Sequence, residues 1–120
     1  MLLRLALVAF ALLAATPAQT QVADTQFSAR RGLYTNPLVV TVSTATPGAT
    51  IRYTLDCSDP RISPNSVQGP SPLVVTIDPT STNGGLRPLT PAVVLRAYAF
   101  APGMTPTNVD TQTYVFPARV

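Results

Sequence analysis

Residues 46–60 read TPGATIRYTLDCSDP, an alternating run held between two proline-bearing turns. Thr46-Pro47-Gly48 turns the chain. Ile51, Tyr53 and Leu55 then form one row, and Arg52, Thr54 and Asp56 the other. A strict period of two is the signature of a strand with one face buried and one in water. Asp56, Ser58, Asp59 and Pro60 supply the second turn, through side chains that bond nearby backbone amides. The stretch predicts one strand of a half-buried sheet, with Thr54 on its outward face.

The same period recurs on both sides. Leu38, Val40 and Val42 oppose Val39, Thr41 and Ser43; Leu73, Val75 and Ile77 make a third row; Val93, Leu95, Ala97 and Ala99 make the inward set of residues 92–100. A last strand is expected near residues 109–116 and an edge strand around 26–28. Residues 78–91 (DPTSTNGGLRPLTP) lack periodicity and read as a loop. The small Ala97 and Ala99 call for a bulky neighbour across the core, which Tyr53, Tyr114 or Phe116 would supply. Six or seven short strands at this spacing predict an all-β antiparallel sandwich.

Composition sets the frame for function. The chain has 120 residues, with eight arginines, five aspartates, one cysteine and thirteen prolines, and no Lys, Glu, His or Trp. Residues 5–15 (LALVAFALLAA) follow a short basic start and precede Thr16-Pro17-Ala18, the layout of a secretory signal peptide. The reading places a signal at residues 1–18, with an uncleaved anchor as the alternative, and a folded domain at 24–117. The expected location is outside the cell, in the periplasm or at the cell envelope, with no membrane span after cleavage. Without Arg4, seven arginines face five aspartates, too mild an excess for a nucleic-acid footprint. Lacking His, the chain has neither the commonest general base nor the commonest transition-metal ligand.

With these pieces in order, "FSARRGLYTNPLVVTVSTATPGATIRYTLDCSDP" and "LRAYAFAPGMTPTNVDTQTYVF" resemble the chitobiase/β-hexosaminidase C-terminal-type domain, also described as the GH29D-like or Fn3-associated β-sandwich. Phe27-Ser28, Gly32–Tyr34, Gly69-Pro70, Gly103 and Thr113-Tyr114 carry the likeness along with the turn and strand of residues 46–60. The resemblance implies an immunoglobulin-like (fibronectin III-like) sandwich of about seven strands. It also implies an accessory module that sits beside glycoside hydrolases or other exported bacterial domains and carries no catalytic residues. Two departures stand out. Cys57 occupies the place of a glycine in a D-G-S-D-P turn, where a positive φ is cheap only for glycine, and the segment 78–91 is longer than the family's usual link.

Several residues invite a sharper reading. Tyr34, Tyr98 and Phe100 are candidates for stacking on sugar rings, with Arg96 beside them, and Arg30, Arg31 and Arg52 are further cations for an anionic glycan. The plainer reading is edge or core packing for the aromatics and a solvated face for the arginines. Asp56, Ser58 and Asp59 offer too few oxygens for Ca²⁺, and Asp56 and Asp59 share one tight turn with no cleft for an acid–base pair, so turn capping is expected. Cys57 reads as an exposed, unpaired turn residue, with a Cys57-linked dimer as the alternative to a monomer. No catalytic residue, metal or cofactor is expected. The function expected is a secreted non-catalytic accessory or interaction module, whose partner is carbohydrate or a cell-envelope protein. The alternative is a structural spacer, or a fragment of a larger exported protein, with no ligand of its own.

Overall fold

A computed structural model of the chain describes residues 20–120; the signal-peptide reading of residues 1–18 lies outside the described residues. Eight strands follow one another: β1 (Thr25–Phe27), β2 (Gly32–Leu33), β3 (Leu38–Thr44), β4 (Thr50–Thr54), β5 (Val67–Pro70), β6 (Leu73–Ile77), β7 (Ala92–Phe100) and β8 (Asp110–Val115). They form two sheets, ordered β1-β3-β6 and β2-β8-β7-β4-β5. The chain therefore folds as an all-β sandwich, as the alternation predicts. One pairing departs from the antiparallel rule: β2 runs parallel to β8, with Gly32 opposite Tyr114 and Leu33 opposite Val115.

The alternating rows close against each other. Val40 and Val42 of β3 and Val75 and Ile77 of β6 meet Ile51, Val93, Leu95, Ala97, Ala99 and Tyr114 of the larger sheet, with Leu55 and Phe116 just beyond the strand ends, and all of them are buried. The bulky neighbour expected across the core from Ala97 and Ala99 is not Tyr53 or Tyr114, because β4 and β8 flank β7 in the same sheet; the facing sheet presents Val40, Val42, Val75 and Ile77. Tyr114 and Phe116 are the largest fully buried side chains, and Tyr53 stays half-buried at the margin. Gly69 of β5 sits opposite Ile51 in register, and a methyl group there would lie 2.9 Å from Leu73 Cδ1. A bare backbone at 69 therefore makes room for the Leu73 side chain.

Two local features differ from the sequence reading. Thr54 is on the outward register of β4, opposite Arg96, yet it is buried. The turn after β4 folds back over it, and its hydroxyl donates to the Ser58 carbonyl at 2.6 Å. The loop 78–91 has no strand, as expected, but it is built around Arg87, which is only 3% exposed. The Arg87 guanidinium donates to the carbonyls of Asp78, Ser81 and Thr90 and to the Thr90 hydroxyl. Burial pushes its pKa down and nearby Asp78 pulls the other way. A cation buried among carbonyls is tolerable because those carbonyls would otherwise be orphaned in a loop with no ladder to satisfy them.

Candidate functional site

The turn after β4 is a network of occupied side chains. The Asp56 carboxylate accepts from the Ser58 amide at 3.1 Å, from the Ser58 hydroxyl, and from Asn65 Nδ2 at 2.9 Å. Burial works to raise the Asp56 pKa; the bonds from Asn65 and Ser58 outweigh it and hold the group below the ordinary carboxylate range. Asp59 accepts from the backbone amide and side chain of Arg61, with a salt bridge of 2.7 Å, and the Arg61 hydrogen bonds lower its pKa to about 2. Both carboxylates thus cap the turn. Cys57 between them is exposed and adopts φ 71°, the left-handed conformation that a glycine would take without strain. Its carbonyl accepts from Arg96 Nη1 at 3.0 Å, so the turn is tied down onto the sheet.

That anchoring changes the outer face of the larger sheet. Tyr98 and Phe100 do stack there, with ring centroids 5.5 Å apart. Tyr98, however, is only 8% exposed. It lies cross-strand from Arg52, and the turn's Arg61 is close enough to interact with it electrostatically. Arg52 donates to Gln68 at 2.9 Å and lies over the Phe100 ring, 5.9 Å from its centre. Little bare ring is left for a sugar to cover. Tyr34 is elsewhere: it packs on Tyr114 (5.6 Å) and Phe116 (6.4 Å) and donates its hydroxyl to the Arg30 carbonyl at 2.6 Å. The structure brings Tyr98, Phe100, Arg96 and the Asp56–Asp59 turn onto one face and leaves Tyr34 out of it.

A concave surface with free polar groups lies at the lateral edge instead. β8 pairs with β7 along its whole length, but on its other side β2 reaches only Tyr114 and Val115, so that edge of Asp110 to Thr113 has no strand partner; β1 is likewise an edge strand. Thr25 and Phe27 from β1 and Asp110 and Gln112 from β8 occupy inward registers. These residues line a cleft of about 390 Å³ together with Asp24, Gln26 and Arg30. The Thr25 hydroxyl bonds Asp110 Oδ2, and Gln112 Oε1 accepts from the Arg31 amide at 2.7 Å. Neither the Asp24 carboxylate nor the Arg30 guanidinium makes a hydrogen bond or ion pair among the described residues. Sequence spacing could not reveal this cleft, since Thr25 and Asp110 are 85 positions apart.

Among the described residues no three of His, Cys, Asp and Glu gather as a metal group. No helix among them is long and apolar enough to cross a membrane. Comparison with curated proteins and with solved structures returns no match. The family model of the chitobiase/beta-hexosaminidase C-terminal domain aligns with residues 29–111, from the segment before β2 into the start of β8. On that match, and on the two-sheet fold that accompanies it, the chain belongs to the chitobiase/beta-hexosaminidase C-terminal domain family.

Proposed function

We propose that the chain is an exported, non-catalytic accessory module that associates with carbohydrate. The observation that carries this reading is the family match over 29–111, because the family is a C-terminal module of glycoside hydrolases. The chemistry of the chain supports it. Hydrolysis of a glycosidic bond ordinarily uses two carboxyl groups flanking a substrate cleft. Here Asp56 and Asp59 are capped within one turn, and Asp78 is held by Thr80 through bonds of 2.7 and 2.9 Å. Of the two carboxylates that line the lateral cleft, Asp110 accepts from the Thr25 hydroxyl, which leaves Asp24 as the one without a hydrogen bond among the described residues. Export rests on residues 1–18, whose basic start, apolar run and small-residue site fit a signal peptide. The protein works as a monomer in this reading, with Cys57 as a free thiol.

Affinity electrophoresis tests the proposal. In native gels cast with soluble neutral polysaccharides, the protein should migrate more slowly in at least one gel than in a polysaccharide-free gel. Equal mobility in every gel would contradict carbohydrate association and favour a spacer without a ligand.

A further inference from the structure

Resting on the carbohydrate reading above, we infer that the ligand surface is the lateral cleft between β1 and β8, and that it takes a neutral sugar ring. The face of β7 and β4 is the obvious platform, but it is already spoken for: Tyr98 is covered, Phe100 carries Arg52, and Arg96 is bonded to Cys57. The cleft has the opposite character. Its volume of about 390 Å³ falls in the range of small-molecule sites. Its lining combines the carboxylates of Asp24 and Asp110, the amides of Gln26 and Gln112, the Arg30 guanidinium, and the half-buried aromatic side chain of Phe27.

Charge selects the ligand class. Asp24 and Asp110 would repel a uronate or sulfated glycan, and Arg30 would repel a cation. A neutral sugar meets neither penalty. Each of its hydroxyls both donates and accepts, so adjacent hydroxyls can bridge a carboxylate and a guanidinium, while the C–H face of the ring packs on Phe27. Asp24 and Arg30 are exposed and unpaired, so ligand hydrogen bonds would form at groups now facing water. These charge-assisted bonds are the stronger kind.

The test is a ¹⁵N NMR titration of the protein with three probes: a β-1,4-linked glucose hexasaccharide, its N-acetylglucosamine counterpart, and oligogalacturonate. Amides of residues 24–30 and 110–112 should shift with at least one neutral probe and not with the uronate. Asp24→Ala and Arg30→Ala should each weaken binding about tenfold or more while keeping a dispersed spectrum. Shifts centred on Arg52, Gln68 and Phe100 would overturn the cleft assignment and leave carbohydrate association standing. Binding of the uronate alone would overturn the neutral-ligand assignment. Silence with all three probes, alongside retardation in none of the polysaccharide gels, would overturn both readings.

Discussion

Replacing Cys57 with glycine should stabilise the protein, and by an amount the backbone fixes in advance. Cys57 holds φ at 71°. For an L-residue that conformation costs about 1–2 kcal/mol, because Cβ crowds the following carbonyl. Glycine removes the crowding but adds about 0.4–1 kcal/mol of backbone freedom to the unfolded chain. The difference is a net gain of about 0.5–1 kcal/mol. The surroundings survive the change, since the thiol is exposed and the local bonds run through the Cys57 carbonyl, Asp56 and Ser58. For a domain of this size the gain corresponds to a rise in Tm of about 2–8 °C. Denaturant unfolding of three proteins would measure it: the wild type, Cys57→Gly and Cys57→Ala. Alanine keeps the Cβ and should gain nothing. If the alanine and glycine variants were equally stable, the effect would come from losing the thiol and the strain argument would be refuted.

Three further predictions follow from buried polar groups. Arg87→Met should cost about 2–4 kcal/mol in urea unfolding: several carbonyls lose their donor, partly offset because no cation remains to desolvate. A change under about 0.5 kcal/mol would show that Arg87 does not organise the loop. Thr107→Val should cost about 1–3 kcal/mol by thermal unfolding, because the buried Ala99 amide donates to the Thr107 hydroxyl at 2.9 Å and would be left unpaired; a neutral outcome would mean the amide finds another partner. Burial raises the pKa of Tyr114 to about 12 from 10.0, and its hydroxyl donates to the Ala29 carbonyl at 2.7 Å. The folded pKa lies above the unfolded one, so this contribution is intact below pH 10.0 and is lost as pH rises through about 12. Stability followed against pH should fall across that window in the wild type and fall less in Tyr114→Phe; identical curves would contradict the assignment.

Alternation carried most of the fold. The rows at 38–42, 73–77 and 93–99 lie on the faces the period of two assigns, buried except for the half-buried Leu38 and Leu73 at the strand starts. β2 and β5 escaped it. One is two residues long, and the other, VQGP, holds a glycine and a proline where alternation would need side chains. Thr54 defeated the inward-outward rule because the turn after β4 folds back over it, and a strand pattern says nothing of what a later turn covers. Tyr98 is likewise buried on the outward face, where it stacks on Phe100. Arg87 gave no signal either, because a charged residue in a Pro/Gly-rich loop reads as solvated. Cys57 was partly legible: its conflict with a glycine position is local and allows either a different turn backbone or a strained residue, and the structure has the strained one. The lateral cleft lay beyond any spacing argument, being assembled from two strands at opposite ends of the domain.

The claim that this domain holds carbohydrate without cleaving it can be tested most directly by following protein depletion and reducing ends together on an insoluble neutral polysaccharide. The account predicts saturable loss of protein from the supernatant, with reducing ends staying at the level of the protein-free control. Reducing ends that accumulate in proportion to added protein would contradict it.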